Sequence, residues 1–316
     1  MDRNASIFVA GHRGMVGSAI ERALQAAGYT QLITRTRAEL DLLDQRAVFD
    51  FLHAQRPDFI FIAAAKVGGI LANHVQRADF LYENLQIEAN LIQGAHRAGV
   101  QRLIFLGSSC VYPRDCAQPI REEYLLTGPL EATNEPYAIA KIAGIKLCEA
   151  LNAQHGRAYL SLMPTNLYGP GDNHDLATSH VLPALLRKAH EARARGDSEL
   201  VVWGSGTPRR EFLYVDDLAQ ACVQLMQSDV DVAATPLINI GCGSDVSIRE
   251  LAETVMRVVG FAGCIVFDAS KPDGTPRKLL DVSRAAALGW RASTELADGI
   301  ALAYAAAPYV KASGTA

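Results

Sequence analysis

Five short strand-like runs divide the first half of the chain, and longer stretches separate them. The runs occupy residues 7–10, 31–34, 59–62, 103–106 and 159–163. Continuous runs of β-branched and aromatic residues of this length indicate strands that are buried on both faces. The stretches between them, such as 44–55 and 77–98, carry apolar residues three or four positions apart, as amphipathic helices do. This alternation predicts an α/β fold built on a doubly wound parallel (Rossmann) sheet.

The second half of the chain predicts a smaller unit. Residues 201–204 indicate a strand that enters a turn, and Ser247 with Glu250 has the spacing of a capping box at a helix start. We therefore expect a Rossmann domain over residues 1–169, with a return segment near 211–240, and a smaller C-terminal α/β domain over 170–316. Asp216 or Asp217 is expected to begin a helix in the return segment and to contact the first domain.

A glycine-rich turn follows the first strand. Its sequence is Gly-His-Arg-Gly-Met-Val-Gly over residues 11–17, and an amphipathic helix that ends near Gly28 follows it. The glycines permit a tight turn and close approach of a pyrophosphate to the backbone, while the helix start offers unpaired N–H groups to phosphate. The turn predicts a dinucleotide-binding loop. The alternative, a glycine-rich turn without a ligand, is weaker because a strand precedes the turn and a helix follows it.

Basic residues close the second predicted strand. Arg35-Thr36-Arg37 stands where an NAD-binding protein usually carries an acidic residue for the ribose 2′-hydroxyl. Arginine at this position suits the additional phosphate of NADP, and Arg37 is the stronger candidate of the two. The alternative is a solvated basic turn.

A second motif follows the strand at 103–106. Gly107 ends that strand, and Ser108 and Cys110 come directly after it, at the carboxyl end where open α/β sheets bind ligands. About 30 residues further on, Tyr137 and Lys141 lie four positions apart and therefore share one face of a predicted helix. A nearby ammonium favours phenolate, so we expect Lys141 to lower the pKa of Tyr137 towards the working range. Such a tyrosine can exchange a proton with a sugar or alcohol oxygen.

Composition limits the possible partners. Lys and Arg number 30 against 34 Asp and Glu, which gives a formal net charge of −4, and 49% of the 316 residues are hydrophobic. This balance gives no support for binding to nucleic acid or to an anionic membrane surface. The N-terminus enters the first strand without an apolar signal-peptide core, and no uncharged apolar run approaches membrane-spanning length. We therefore expect a cytoplasmic protein that binds neither membranes nor nucleic acid.

The cysteines give no sign of a disulfide framework or of a metal site. They are scattered, lack paired Cys-x-x-Cys spacing and lie mostly in apolar surroundings: Cys110, Cys116, Cys148, Cys222, Cys242 and Cys264. We expect no bound metal, and we expect Cys242 and Cys264 to be structural.

Six motifs together resemble those of the GDP-L-fucose synthase family, which belongs to the extended branch of the short-chain dehydrogenase/reductase superfamily. They are Gly-His-Arg-Gly-Met-Val-Gly (11–17), Ala-Ala-Ala-Lys-Val-Gly-Gly-Ile (63–70), Gly-Ser-Ser-Cys (107–110), Asn-Glu-Pro-Tyr-Ala-Ile-Ala-Lys (134–141), Pro-Thr-Asn-Leu-Tyr-Gly-Pro (164–170) and Lys-Pro-Asp-Gly-Thr-Pro-Arg-Lys (271–278). The resemblance implies an enzyme that epimerises C3 and C5 of GDP-4-keto-6-deoxy-D-mannose and then reduces the C4 ketone with NADPH.

The resemblance also implies roles for individual residues. Cys110 and His180 would be the base and the acid of the epimerisations, while Ser108, Tyr137 and Lys141 would serve the C4 oxygen and the reduction. The expected cofactor-binding residues are Gly11, His12, Arg13, Gly14, Met15, Val16, Gly17, Arg37, Leu106, Gly107, Ser108, Ser109, Lys141, Pro164, Thr165, Asn166, Leu167 and His180.

The C-terminal domain would bind the nucleotide sugar. A diphosphate requires cations and a base requires an apolar or aromatic face. Lys188, Trp203, Arg210 and Asp273 match substrate-contact positions of the family, and the resemblance places Lys278 in the neighbourhood of that site. Helices of this superfamily often pair in a four-helix interface, so a homodimer is expected.

Three readings of the function remain open at this point. The first is the bifunctional epimerase and reductase. The second is a related nucleotide-sugar enzyme, namely a plain 4-epimerase, a 4-reductase or a colitose-type synthase. Arg35-Thr36-Arg37 and the pair Cys110 and His180 argue against the plain epimerase. The third is a non-catalytic NADP-sensing protein, which the intact pair of Tyr137 and Lys141 disfavours.

Overall fold

The computed structural model describes residues 2–176, 178–271 and 273–313. The strands, numbered in chain order, are β1 (Ile7–Ala10), β2 (Leu32–Ile33), β3 (Phe59–Ile62), β4 (Arg102–Leu106), β5 (Ala158–Pro164), β6 (Asn166–Tyr168), β7 (Glu199–Trp203), β8 (Arg209–Arg210), β9 (Phe212–Tyr214), β10 (Leu237–Ile240), β11 (Val246–Ser247), β12 (Cys264–Asp268) and β13 (Arg277–Lys278). The helices are α1 (Met15–Ala26), α2 (Gln45–Gln55), α3 (Ile70–Val75), α4 (Arg77–Arg97), α5 (Glu135–His155), α6 (Val181–Arg195), α7 (Val215–Gln227), α8 (Ile248–Val259), α9 (Ser283–Ala287), α10 (Leu296–Ala306) and α11 (Pro308–Ser313). Two short 3₁₀ turns lie at Ser109–Val111 and Glu122–Tyr124.

Within the described residues, six parallel strands form the central sheet in the order β2-β1-β3-β4-β5-β10. The strand order reverses between β1 and β3, so their carboxyl ends border the crevice where doubly wound sheets bind ligands. Successive side chains of β1 face opposite sides of the sheet, since Ile7 and Val9 join one core cluster and Phe8 and Ala10 the other. The predicted doubly wound parallel sheet is confirmed.

Two helical layers cover the sheet. Helices α1 and α7 pack on one face, and α2, α4 and α5 pack on the other. The strands are buried on both faces, which explains why they are continuous apolar runs in the sequence rather than alternating ones.

A third core cluster lies in the second half of the chain. It joins α6, α8 and α10 with strand β7, whose exposed and buried side chains alternate. Short two- and three-stranded pairings, β12-β7, β6-β9 and β11-β8-β13, connect this part of the described chain. Segments 237–240 and 283–287 instead contribute to the cores of the central sheet. The domain bounds 1–169 and 170–316 stay a prediction.

The predicted element ends agree closely with the structure. Asp44 caps α2 through its side chain, and Ser247 with Glu250 forms the expected capping box of α8. Helix α7 differs, because its N-cap is Tyr214 and both aspartates lie in its first turn. Asp217 accepts hydrogen bonds from the backbone and hydroxyls of Ser293 and Thr294 instead.

None of the helices in the described residues combines the length and hydropathy that a bilayer span requires. The same residues contain no group of three or more His, Cys, Asp or Glu side chains that could hold a metal ion. All six cysteines have free thiols.

Candidate active site

The glycine loop after β1 lies against the loop after β3. A Cβ atom at Gly11, whose φ is +91°, would come within 2.7 Å of the Ala64 backbone nitrogen. A Cβ atom at Gly17 would overlap the Gly11 carbonyl. Glycine is therefore required at both positions by close backbone approach, in agreement with the predicted turn.

The start of α1 is open towards this loop. Its N-cap is Gly14, which has no side chain to accept from the first N–H groups of the helix. Those groups are therefore available to a phosphate, as the positive end of the helix dipole also favours. The compact loop and the uncapped helix start fit the pyrophosphate of a dinucleotide. His12 and Arg13 lie in the loop, and Met15 and Val16 form the first turn of α1.

The other expected cofactor residues end neighbouring strands. Leu106 closes β4, and Gly107 follows it and donates from its backbone N–H to the Leu162 carbonyl at 2.9 Å. Ser109 is buried in the 3₁₀ turn beyond. Pro164 closes β5, and Thr165 donates from its backbone N–H to the Ile240 carbonyl at 3.0 Å. Asn166 and Leu167 begin β6 beside them.

The two arginines after β2 differ in their surroundings. The Arg35 guanidinium lies 5.1 Å from the centre of the Phe51 ring and donates to the Thr34 carbonyl. Arg37 is exposed. Nearby, Glu39 accepts a hydrogen bond from the backbone N–H of Thr36 at 2.7 Å, which lowers the pKa of that carboxyl, and the charge of Arg35 adds to the effect.

Ser108 and Cys110 lie where the sequence predicts them, at the carboxyl end of β4. Ser108 caps the 3₁₀ turn, and its hydroxyl accepts from the Cys110 backbone N–H at 3.3 Å. The Cys110 side chain is 7% exposed. Burial raises the pKa of the Cys110 thiol, whereas the charge of Lys278, the hydrogen bond with Ser108 and the charge of Lys141 oppose that rise. Cys110 is therefore a protonated thiol at neutral pH, set among groups that favour its thiolate.

The predicted lowering of the Tyr137 pKa is wrong in direction. Burial raises the pKa of Tyr137 well above its ordinary value, and the nearby charges of Cys110 and Glu88 raise it further. The Lys141 ammonium lies 5.8 Å from the Tyr137 ring centre, but it pairs with the Glu88 carboxylate at 2.9 Å and donates to the Leu106 carbonyl at 3.0 Å. The phenol therefore keeps its proton at neutral pH, as a proton donor must.

His180 lies at the start of α6, as its N-cap residue. The preceding loop is joined to the loop after β3, because Gly69 donates from its backbone N–H to the Thr178 carbonyl at 2.9 Å. A Cβ atom at Gly69 would lie 2.9 Å from the Ser179 carbonyl. His180 is exposed at this position, and desolvation of its ring lowers its pKa, which favours the neutral imidazole over the imidazolium that the expected acid role requires.

Strands β8 and β13 each carry two basic residues, so each face of this strand pair has two cations. Arg209 pairs with Arg277 in register and Arg210 with Lys278. Arg209 and Arg277 both bind the Asp245 carboxylate, the first at 2.7 Å. Because side chains alternate along a strand, Arg210 and Lys278 share the opposite face. Burial lowers the pKa of both.

Trp203 ends β7 and is 58% exposed. The Lys188 ammonium lies 4.8 Å from a Trp203 ring centre, and the Lys271 ammonium lies 5.4 Å from one. Burial lowers the pKa of Lys188. Asp273 accepts from the backbone N–H and the hydroxyl of Ser205, so it holds the turn after Trp203. Pro272, in the same motif, lies outside the described residues.

Sequence reasoning missed three residues of this region. Lys271 belongs to the motif at 271–278 but is not predicted as a site residue, and its ammonium lies over the Trp203 ring together with that of Lys188. Glu88 is the carboxylate that pairs with Lys141. Glu211 is fully buried and accepts from the backbone N–H groups of Gly243 and Leu280. A charged residue within an otherwise apolar helix face was the available signal for Glu88.

The arrangement combines a dinucleotide loop with a cluster that can move protons. A half-buried phenol, a thiol, a hydroxyl and an ammonium lie near the carboxyl end of β4. On one face of β8 and β13, Arg210 and Lys278 form no ion pair within 4.0 Å among the described residues, although the charge of Asp273 acts on Arg210 and that of Glu131 on Lys278. Such a site can protonate an oxygen of a ligand and bind an anionic part of the same molecule.

The chain is similar to known proteins over nearly its whole length. Residues 7–241 match the NAD dependent epimerase/dehydratase family. A GDP-L-fucose synthase from Escherichia coli (strain K12) is 58% identical over 304 residues, which cover 94% of this chain and 95% of that protein. A GDP-L-colitose synthase from Yersinia pseudotuberculosis is 39% identical, with 93% of this chain and 95% of that protein covered.

A solved structure agrees with the sequence relatives. The GDP-mannoheptose C4 reductase from Campylobacter jejuni, with NADP bound, is 39% identical and superposes with a TM-score of 0.88, covering 96% of this chain and 98% of that chain. The protein therefore belongs to the NAD dependent epimerase/dehydratase family and, within it, to the GDP-L-fucose synthases.

Proposed function

We propose that this protein epimerises C3 and C5 of GDP-4-keto-6-deoxy-D-mannose and reduces the C4 ketone with NADPH, which gives GDP-L-fucose. The observation that carries this proposal is the cluster of Ser108, Cys110, Tyr137 and Lys141 at the carboxyl end of β4, in a chain 58% identical to a GDP-L-fucose synthase. The protons on C3 and C5 are both α to the C4 carbonyl. Their removal gives enolates whose charge lies on the same oxygen.

Tyr137 and Ser108 are the proposed donors to that oxygen. Oriented donors aimed at developing charge usually supply a large part of the rate enhancement. The raised pKa of Tyr137 supports this role, because the phenol keeps a proton to donate to the enolate and later to the alkoxide.

Cys110 and His180 are the proposed proton-transfer pair for the two inversions. At neutral pH their pKa shifts favour a thiol and a neutral imidazole. A thiolate with an imidazolium carries the same number of protons as a thiol with a neutral imidazole. The net transfer of one proton from Cys110 to His180 therefore gives the required base and acid. Lys278 supports this step, since its charge opposes the burial of the Cys110 thiolate.

NADPH would be held by the glycine loop, by Arg37 at its 2′-phosphate and by Lys141 at its nicotinamide ribose. When bound, it supplies the hydride for reduction of C4. The GDP part of the substrate would meet Trp203 and Lys188 through its base and Arg210 and Lys278 through its diphosphate.

The related activities are weaker proposals. The colitose-type relative is 39% identical, against 58% for the fucose enzyme. A 4-reductase has no need of the thiol and imidazole of Cys110 and His180. A plain 4-epimerase regenerates its bound dinucleotide in each cycle and has no need to release NADP and bind fresh NADPH.

The test is incubation with GDP-4-keto-6-deoxy-D-mannose and NADPH in heavy water, followed by NMR of the product. We expect GDP-L-fucose with deuterium at both C3 and C5. Reduction at C4 without deuterium at C3 or C5 would instead identify a plain 4-reductase. Deuterium at only one of these carbons would show that the enzyme epimerises that carbon alone.

Cys110→Ser separates the proton-transfer role from a structural one. We expect turnover to fall by about 100-fold or more, because general acid–base groups contribute about that much. NADPH binding, followed by fluorescence titration, should stay at the wild-type value. An equal loss of cofactor affinity would show that Cys110 is structural.

We further propose a cytoplasmic homodimer joined through α4 and α5. Tyr82 on α4 is 63% exposed and Ile139 on α5 is 43% exposed, which leaves apolar surface on the outer face of both helices. The free thiols suit a reducing compartment. Light scattering on the purified protein measures the oligomeric state, and cell fractionation tests the location.

A further inference from the structure

Lys141 and Glu88 form an ion pair in the interior of the molecule. The ammonium nitrogen lies 2.9 Å from a carboxylate oxygen of Glu88, and both side chains are 2% exposed. Glu88 lies on α4 and Lys141 on α5, so the pair joins the two helices, and its ammonium lies 5.8 Å from the centre of the Tyr137 ring.

The surroundings of the pair are shaped to admit it. The Lys141 ammonium lies 4.7 Å from the centre of the Phe105 ring and donates to the Leu106 carbonyl at 3.0 Å. A Cβ atom at Gly144 would lie 2.8 Å from a Glu88 carboxylate oxygen and 2.6 Å from the Phe105 ring. A glycine in the middle of α5 costs helix stability relative to alanine, yet here it provides the space that the carboxylate occupies.

We propose that Glu88 is the positioning residue of Lys141. Its carboxylate and the Leu106 carbonyl fix the ammonium from below, so that the remaining N–H of Lys141 is directed to the cofactor side of the cluster. The inference rests on the proposed function, since that function places Lys141 at the nicotinamide ribose. It extends the site to α4, which none of the sequence motifs reaches.

Electrostatics support a role beyond packing. Burial raises the pKa of Glu88, and Lys141 alone among its neighbours in the described residues opposes this rise. The Glu88 carboxylate therefore depends on Lys141 to remain ionised in a nonpolar interior. Removing the carboxylate would leave the ammonium without its counter-ion and without one of the two groups that hold it. Lys141 would then no longer be held in the position from which it is proposed to bind the ribose.

The test compares Glu88→Gln, Lys141→Met and the double variant for NADPH affinity, measured by fluorescence titration, and for melting temperature. Glutamine keeps the shape of Glu88 and removes its charge. We expect NADPH to bind about 10- to 100-fold more weakly to Glu88→Gln, as for other groups that orient a ligand-binding side chain. In the Lys141→Met background, Glu88→Gln should cause no further loss of affinity.

Glu122→Gln is the matched control. Glu122 is also buried, 6% exposed, lies 3.5 Å from Arg284 and accepts from the Asn239 backbone N–H, so it is an ion-pair carboxylate elsewhere in the fold. The Glu122→Gln variant should have a lower melting temperature than the wild type and the same NADPH affinity.

The outcomes are distinct. Wild-type NADPH affinity in folded Glu88→Gln, or a further loss in the double variant, would overturn the positioning role. If Glu88→Gln does not fold, the double variant removes both charges and allows the comparison with Lys141→Met. The binding assay involves no sugar. A failure of the proposed function would therefore appear only in the wild-type product assay.

Discussion

The proposed cofactor site and the proposed nucleotide-sugar site differ in the kind of atoms that form them. On the cofactor side, backbone atoms lie close to one another, with Gly11 against Ala64 and Gly17 against Gly11, and a helix start has no side-chain cap. On the sugar side, charged and aromatic side chains from separate segments converge, as Arg210 and Lys278 do. A backbone site depends on the space between main-chain atoms. A side-chain site depends on which charges remain without a partner.

Gly17→Ala should have the largest effect, because it tests the backbone side. The new methyl group would overlap the Gly11 carbonyl, and main-chain atoms cannot move aside cheaply. We expect NADPH affinity to fall by more than about 100-fold, or the protein not to fold, since strain of this kind reaches about 4 kcal/mol. Fluorescence titration and circular dichroism measure the two outcomes.

Gly156→Ala is the control for that variant. Gly156 ends α5 with φ of +63°, and a Cβ atom there would meet nothing within 4 Å. Only backbone strain remains, at a cost of about 1 kcal/mol of stability. NADPH affinity should not change. If Gly17→Ala binds NADPH as Gly156→Ala does, the loop around residues 11–17 does not form the pyrophosphate site.

Arg210→Met tests the sugar side, with Arg209→Met as its neighbour on the opposite face. Arg210 donates to the Arg209 carbonyl and lies within the field of Asp273, but it forms no ion pair within 4.0 Å in the described part of the chain, whereas Arg209 is paired with Asp245. Under the proposed function the partner of Arg210 is the diphosphate of the substrate. Losing a buried cation from such a charge pair costs about 2–5 kcal/mol, so the KM for the nucleotide sugar should rise by about 30-fold or more in Arg210→Met.

Arg209→Met should lower the melting temperature and leave that KM within about twofold, because Arg209 lies on the opposite face of β8 and Arg277 still pairs with the Asp245 carboxylate. Steady-state kinetics at constant NADPH measure both variants. Equal increases of KM would mean that the two faces of β8 do not divide the charge as the register implies.

The same contrast explains what the sequence could predict. The central sheet and the glycine loop follow from local patterns, namely apolar runs and glycine spacing, and both were read correctly within one or two residues. Ser108 and Cys110 were also placed correctly, because a strand end fixes the position of the residues that follow it.

Ion pairs between residues that are distant in sequence cannot be predicted from local patterns. The sequence places Lys141 one helical turn from Tyr137, but it does not reveal that Glu88, 53 positions earlier, takes the ammonium. The sequence also does not reveal that Asp245 pairs with Arg209, whereas Arg210 forms no ion pair within 4.0 Å among the described residues. The predicted pKa of Tyr137 was wrong for this reason: burial and a competing carboxylate decide the sign of the shift.

Arg37→Ala should have the smallest effect of the three and sharpens the comparison on the cofactor side. Arg37 is exposed, whereas the Arg35 guanidinium lies on Phe51, so Arg37 is the arginine with a guanidinium free to meet a 2′-phosphate. One hydrogen bond to a charged group contributes about 1.5–3 kcal/mol, and because Arg37 is exposed we expect the lower end of that range, which corresponds to about 10-fold weaker binding of NADPH. Binding of NADH, which lacks that phosphate, should change by less than about twofold.

Arg46→Ala separates this local contact from a general loss of positive charge. Arg46 is exposed on α2 and pairs with Asp50, so its removal lowers the net charge equally without reaching the ligand. Titrations with both nucleotides at two salt concentrations give the ratio of affinities. If that ratio is the same in Arg37→Ala as in the wild type, the phosphate is bound elsewhere. In that case the exposed end of β2 is only a solvated basic turn, and cofactor choice depends on the backbone loop alone.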